Sequence, residues 1–514
     1  DLLQRRAGLL DDTSRVLIEA SLRRQRTVRW ARRAAITAVC LLAVTAATGF
    51  ALAHHARLQA EQDRLRAAGM VDFMLGDLTD RLERVGRMDL LDEVANRVQR
   101  DLASAQAGRH DTRLERSKVL RQLGRIRIAR GDVAAAEPMI AESLALASAV
   151  VGEQPQSAAA QLNLGETRYW IGYFAYLRGD QDAARQQWSA YRDAAELATR
   201  LTPEDPKAWV EASYALNSLG TLSRGGERLD EALDLFQQSV AHKQRAITLD
   251  DTDPRLRADL ADSLSWVAST LDRMGQWRRA RAAYDEAISV IAGVRTHAPQ
   301  DAEWMYREAM LRTQRGQVLG SLEDEAGARA DYSEAVVLLD RIGAAQPDRS
   351  DWARDRVITH RTAGELALDQ RDLQAARNHF DVSDRLLGAL VNAGATVQDL
   401  PRIQIRAALG LARLAGAEGA TAQVDSHLAH AQALLDASPP SARIPRRERL
   451  LRAETILLRA ELGVGMVSDD ALYQAAEWLG SPTQRSADRE ATDLWRRLQP
   501  VLPGSSEQQG AVLG

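Results

Sequence analysis

The 514-residue chain has a single cysteine, Cys40, which excludes an intrachain disulfide and any cysteine-based metal cluster. Lysine is nearly absent: Lys118, Lys207 and Lys243 are the only three among 67 basic residues, a bias that fits a GC-rich bacterial genome. Neither sign of charge dominates. The net charge is −4 with both signs interspersed, which argues against a nucleic-acid-binding surface. Alternating Val-Ile stretches are scarce, while Ala, Leu, Arg and Glu abound, so helices are expected and strands are not. Groups that do chemistry are missing as well. There is no phosphate-binding loop, no kinase catalytic loop and no defensible Ser-His-Asp order. His427 and His430 lie three apart near Asp425, a spacing that could seat a metal and that two solvated histidines on a polar face would also show. Gly463-Val464-Gly465 lacks the third glycine, which would fall at Ser468, and the preceding strand of a dinucleotide fingerprint. No catalytic, cofactor or metal residue is therefore predicted, and the chain does not read as an enzyme.

What the chain does have is a period. Ala136, Ala184, Ala232, Ala280, Ala328 and Ala376 are spaced by 48 residues. Four residues after each comes a large side chain: Ile140, Trp188, Phe236, Tyr284, Tyr332 and Phe380, then Leu428 one period on. Five consecutive aromatics in one column, in a chain that is 5% aromatic, mark a structural repeat. Twelve residues before each alanine stands Gly124, Gly172, Gly220, Ala268, Gly316 and Gly364, then Ala412. Seven after it stands Ser143, Tyr191, Ser239, Ala287, Ala335 and Ser383, then Ala431, small in all but one case. Two helices can approach closely only where both carry small residues, with the large side chain filling the gap beside them.

This spacing resembles the tetratricopeptide repeat. Gly-Asp turns at Gly131-Asp132 and Gly179-Asp180, with Gly275-Gln276 in the same place, suit a left-handed glycine followed by a helix cap. The family unit is usually 34 residues. Here the extra residues lie around Pro155, Pro203, Pro299 and Pro347, with the third unit's proline displaced to Pro254, so longer helices of roughly 18 to 20 residues are expected. The resemblance covers about Ser117 to Ala431 and implies an all-α, right-handed superhelical helix-turn-helix solenoid; a degraded unit with Ala460 on the beat is expected to cap its end.

Only one long apolar run occurs. Residues 34–53 carry no charge, enough to cross roughly 30 Å of hydrocarbon as a helix. A buried helix and a cleaved signal sequence are the alternatives, but the charged stretch before the run is longer than a signal peptide carries. Arg23, Arg24, Arg26, Arg29, Arg32 and Arg33 precede the run without an intervening acid, whereas Arg57, Arg64 and Arg66 follow it mixed with Glu61 and Asp63. This asymmetry predicts a single-pass bacterial inner-membrane protein with a cytoplasmic N-terminus and a periplasmic or extracellular array. The expected organisation is a juxtamembrane segment (1–33), a membrane span contacting the lipid bilayer (34–53), a helical stalk with a divergent capping unit (54–105), the repeat array (106–440), C-terminal capping helices (441–499) and a disordered tail (500–514).

The segment from Asp11 to Ser21, with the arginine-rich run and the span behind it, resembles the stretch that joins bacterial STAND-type signalling ATPases to a C-terminal repeat domain. Residues 73–78 and 82–92 resemble the opening of the repeat domain in such proteins and in some membrane-bound, repeat-bearing bacterial protein kinases. The resemblance implies an upstream ATPase or kinase domain, with this chain as its protein-interaction or sensing arm. The alternative is a periplasmic scaffold for envelope assembly.

In the resembled family, ligands are held on the concave face of the superhelix. Its usual ligand-facing positions fall on Lys118, Arg121 and Arg125, on Tyr169, Tyr173 and Tyr176, and on Tyr214, Asn217 and Arg224. Cations beside an aromatic stripe and an amide would suit an acidic peptide or a C-terminal carboxylate. Packing between units is the competing role for these tyrosines, because Trp170, Ile171 and Phe174 share their helix.

Overall fold

The structure, a computed structural model, describes residues 110–503 except 130, 348, 395–398, 438–445 and 482–488, together with ten residues between 16 and 30. The chain divides into two compact units, Asp1–Gln106 and Ala107–Gly514. In the first, the described residues are helical, with the Thr27 hydroxyl donating to the carbonyls of Arg23 and Arg24. The expected span at 34–53 and the stalk and capping unit at 54–105 lie outside the described residues.

The second unit is built of helical hairpins, all-α throughout its described residues. The pairs are α1 (His110–Ala129) with α2 (Val133–Glu153), α3 (Ala158–Leu177) with α4 (Gln181–Leu201), α5 (Pro206–Gly225) with α6 (Leu229–Leu249), and α7 (Pro254–Arg273) with α8 (Trp277–His297). They continue as α9 (Ala302–Ser321) with α10 (Glu325–Ala345), α11 (Ser350–Asp369) with α12 (Leu373–Asn392), and α13 (Leu400–Ala417) with α14 (Thr421–Asp436). The chain then forms α15 (Arg446–Glu461), α16 (Asp469–Leu479) and α17 (Arg489–Leu498). Each helix packs mainly on its hairpin partner and on the next helix in sequence, the nearest-neighbour pattern of a tetratricopeptide-like solenoid.

The repeated columns are the hairpin seam. A Cβ on Gly172 would lie 2.6 Å from Trp188 Cδ1, and one on Gly220 would lie 2.7 Å from Phe236 Cε1, so in these units the aromatic of the second helix rests directly on the first helix's backbone. Ala136, Ala184, Ala232, Ala280, Ala328 and Ala376 are all fully buried. Ser143 donates to the Ser117 carbonyl at 2.7 Å, and Ser383 to that of Val357 at 3.0 Å, so the small column also ties the two helices by hydrogen bonds. The exception, Tyr191, is buried too. It occupies space vacated at Gly165, where a Cβ would stand 2.7 Å from Tyr191 Cδ2; the corresponding position of unit 1 is Ser117 and that of unit 6 is Val357.

Turn and cap residues also keep the beat. The residue entering each hairpin turn has positive φ: Gly131 (80°), Gly179 (79°) and Gly275 (71°), but also Glu227 (61°), Glu323 (60°) and Arg371 (61°). The left-handed turn therefore belongs to the repeat, and glycine is only its cheapest occupant. Asp132, Asp180, Asp324 and Asp372 follow it and accept from the main-chain N–H three residues on. First helices are capped by Ser157, Asp205, Asp253 and Asp301, again one period apart. Pro254 is accordingly not a displaced inter-unit proline. It opens α7 as Pro206 opens α5, where a missing N–H costs nothing.

Among the described residues one helix, α2, is long and apolar enough to cross a membrane. It is the second helix of the first hairpin, and its stripe of Ala136, Ile140, Ser143, Ala147 and Val150 is buried in the array. At the other end, α16 continues the register, with buried Leu472 twelve residues after Ala460, and α17 covers α15 and α16 through Ala491, Leu494 and Leu498. The packed chain extends through Val501 and Leu502, into the segment expected to be a disordered tail.

Candidate functional site: the inner face of the first helices

First helices of successive units, α1 with α3, α3 with α5, and onward to α13 with α15, lie against one another; second helices of successive units make no comparable contact. The array therefore curves with its first helices inside. Side chains on their inward faces meet residues about 45 positions further on, and these meetings form a ladder along the inner wall.

The ladder uses most of the residues projected onto it. Arg121 donates to Asn163 Oδ1 at 2.7 Å and pairs with Glu166; only 7% exposed, it is a strut between units 1 and 2 and not an open groove residue. Lys118 pairs with Glu115 at 3.1 Å on its own helix. Arg125 also belongs to this helix, one residue past Gly124. Asn217 donates to Ser263 Oγ at 3.2 Å, and the Tyr214 hydroxyl donates to Asp259. Arg224 donates to Ser269 Oγ at 3.0 Å and lies 4.4 Å above the Trp266 ring.

The tyrosine stripe divides. Tyr169 is largely packing: it is stacked 6.4 Å from Trp188 and meets Tyr191 edge-on at 6.1 Å. Tyr173 is half-buried, stacked on Tyr169 at 6.3 Å and edge-on to Trp170 at 5.7 Å. Tyr176 leans on Trp188 at 5.7 Å yet stays 41% exposed, and Tyr214 is 37% exposed. The last two are the most exposed aromatics among the described residues of the first helices.

Between these residues runs a carboxylate network not read from the sequence. Glu166 receives Arg121 and, at 3.6 Å, Lys207. The Tyr191 hydroxyl donates to Glu211 Oε2 at 2.5 Å. Lys243, buried, donates to the Asp259 carbonyl at 3.0 Å with Tyr214's ring 4.6 Å away, while Arg307 joins Asp262. Burial first, then the charge of Glu166, push the Glu211 carboxyl up from 4.5 to about 7. The folded chain thus keeps a proton that the unfolded chain has released between about pH 4.5 and 7, and this group lowers stability as pH rises through that window. Glu211→Gln is expected to flatten the fall, raising the melting temperature near pH 8 and leaving it almost unchanged near pH 4. Superimposable melting profiles for the two proteins would contradict this.

No group of three or more His, Cys, Asp or Glu side chains among the described residues could hold a metal ion. His427 and His430 sit on α14, whose buried face is Val424, Leu428, Ala431 and Leu435.

No protein-family model and no curated protein matches the chain. Solved structures that resemble it include the apo form of RapI, with a TM-score of 0.49 and 11% identity over 84% of this chain and 100% of that one. A Rap protein complexed with competence and sporulation factor gives a TM-score of 0.44 and 14% identity over 86% of this chain and 99% of that one. A tetratricopeptide repeat protein from Parabacteroides merdae gives a TM-score of 0.33 and 18% identity, covering 65% and 98% respectively. Likeness at this level carries no argument about function, so what binds the inner face has to be argued from its own side chains.

Proposed function

We propose that this chain is a non-catalytic protein-binding solenoid whose inner face holds an extended segment of a partner protein. The observation that carries the reading is the exposure of Tyr176 and Tyr214 on the inside of the curve, in a chain with few aromatics, beside polar side chains fixed by the inter-unit ladder. Fixed polar groups next to exposed aromatic rings give orientation and apolar area together, at little cost in side-chain entropy. In this reading the array is the extracytoplasmic arm of a longer, membrane-anchored bacterial signalling protein, held by residues 34–53; the arginine asymmetry around that run supports the orientation.

A photo-crosslinking amino acid placed at Tyr176 or Tyr214 in the cell should trap one discrete partner, whereas the same group at the exposed Val337 of α10 should not. Trapping from Val337 and not from the tyrosines would overturn the inner-face reading. For the orientation, an alkaline phosphatase fusion after Ala431 should be active and a green fluorescent protein fusion there dark; the reverse pattern would place the array in the cytoplasm.

A further inference from the structure

Unit 6 carries a histidine pair that no sequence spacing announces, because its two members lie on different helices. His360 of α11 is 3% exposed, and its Nδ1 stands 3.2 Å from Nδ1 of the half-buried His379 on α12. Its other ring nitrogen, Nε2, lies 3.2 Å from Asp340 Oδ1 on α10 of the preceding unit. Asp340 also accepts from Arg356 Nη2 at 2.8 Å. Burial would raise the Asp340 carboxyl, but the bonds from His360 and Arg356 outweigh it and hold the group below its usual 3.8, so it stays ionised in weak acid.

The other helices packed on this place meet it through uncharged groups. α9 reaches α11 through the Thr313 and Thr359 hydroxyls, 3.2 Å apart, and α13 reaches α12 through Gly410, where a Cβ would stand 2.7 Å from Phe380 Cε1. Charged neighbours along α11 and α12 have partners of their own: Arg354 meets Asp355, Arg361 meets Glu365 and Arg377 meets Glu418.

An ionised carboxylate can only accept, so His360 Nε2 carries a proton. With both rings neutral, His360 Nδ1 is then the acceptor and His379 Nδ1 donates to it. One added proton leaves this bond in place, whichever ring donates. A second does not: two N–H groups and two positive charges would face each other at 3.2 Å. Burial and then the charge of His360 hold His379 below the ordinary 6.5. Phe380, the residue after His379, fills the space between Gly364 of α11 and Gly410 of α13, so this stretch of α12 holds the first helices on both sides of it. Among the described residues, the interfaces of unit 6 with units 5 and 7 are also less extensive than any earlier in the array.

We propose that His360 and His379 form an acid-sensitive joint: protonation of both rings parts α12 from α11 at this point and loosens unit 6 against unit 7. The closed pair holds at most one added proton and the opened pair two, and an opened His379 takes its proton at the ordinary 6.5. Opening therefore gains up to about tenfold for each pH unit below that value and nothing above it. His360 stays with Asp340 throughout, so the bond to unit 5 survives while the one within unit 6 gives way. In the extracytoplasmic placement proposed above, pH follows the medium and acid would alter the inner wall at α11; the joint itself does not rest on that placement.

Hydrogen exchange on the full chain, expressed as protection factors, reads the opening. In wild type, protection in α11 and α12 should fall about tenfold between about pH 7.5 and about pH 5.5. His379→Gln keeps an amide beside His360 but has no proton to gain, so it should show no such fall while its ellipticity matches wild type. Equal losses in the two proteins overturn the joint, and so does a wild type whose protection does not change. A second reading needs no variant. Ring 15N shifts of wild type at about pH 5.5 should show one of these two imidazoles still neutral. If both are charged there while protection is intact, His379 has only turned to solvent, and the joint is overturned.

Discussion

Replacing Phe236 with alanine is expected to cost about 3–5 kcal/mol, the range for a fully buried aromatic truncated in a core that cannot collapse. Phe236 has no exposed surface, sits directly on the backbone at Gly220 and stacks on Trp266 at 5.9 Å with 16° between the rings. Through Trp266 it joins the α5–α6 hairpin to the next unit, so the cavity would open at an interface as well as within a unit. Urea denaturation measures the loss. In a solenoid the damage should also be local, so amide exchange should accelerate in α5 to α8 before it does in α13 and α14. A loss below about 1 kcal/mol would mean that the aromatic column does not hold the hairpin.

Asp331→Ala is expected to be nearly as damaging, for an electrostatic reason. Asp331 is 2% exposed and accepts from Arg315 Nε and Nη2 at 2.7 and 2.6 Å and from Arg312 Nη1 at 3.4 Å. Arg312 also meets buried Glu308, which accepts from Arg295 of the preceding unit at 2.6 Å, and Arg315 reaches Asp285 of that unit at 2.7 Å. Removing the central carboxylate leaves two arginines facing each other with little water, and stranding one side of a buried ion pair costs about 3–5 kcal/mol. Arg315 retains Asp285 and is 20% exposed on its side chain, which puts the expectation near about 3 kcal/mol. Asp331→Asn keeps an acceptor in place and should lose less. Equal melting temperatures for wild type and the alanine variant would show that the network is decorative.

The hairpin seam was legible because its constraint is steric and recurs: a large side chain on one helix leaves little or no room for a Cβ on the other, and glycine keeps that place at Gly124, Gly172, Gly220, Gly316 and Gly364, with Ala268 opposite Tyr284 as the exception. The cap column of Ser157, Asp205, Asp253 and Asp301 is equally periodic in the sequence, and it fixes the role of Pro254. Tyr191 looked like a lapse in the small column because its compensation, Gly165, sits in a different column; only the pairing of the two columns in space shows the exchange of volume. Likewise, the left-handed turn at Glu227, Glu323 and Arg371 has no glycine to announce it.

The inner face was harder to read. The projected positions fall on the first helices, and the sequence does not show which of their side chains are engaged within the array. Arg121 is held by Asn163 and Glu166 of the next unit, and Asn163 stands at that place in no other unit. Such pairings do not repeat, so no column reveals them. Arg224 stood in the projected set, and its place over Trp266 and its bond to Ser269 come from the stacking of one unit on the next.

The most direct measurement of the central claim, that one 48-residue unit builds both the array and its inner wall, is an excision. Deleting Ala158–Asp205, one full period, joins Ser157 to Pro206, so that the cap of α3 becomes the cap of α5. It also places Glu211 where Asn163 had been, opposite Arg121. The shortened protein is expected to be monodisperse, to keep the mean residue ellipticity of wild type and to unfold cooperatively. Deleting Ala158–Tyr191 instead, about 34 residues as in the usual family unit, should break the register and yield an aggregating or partly unfolded chain. If the 48-residue excision unfolds as badly as the shorter one, or the shorter one folds as well, the period does not define this structure.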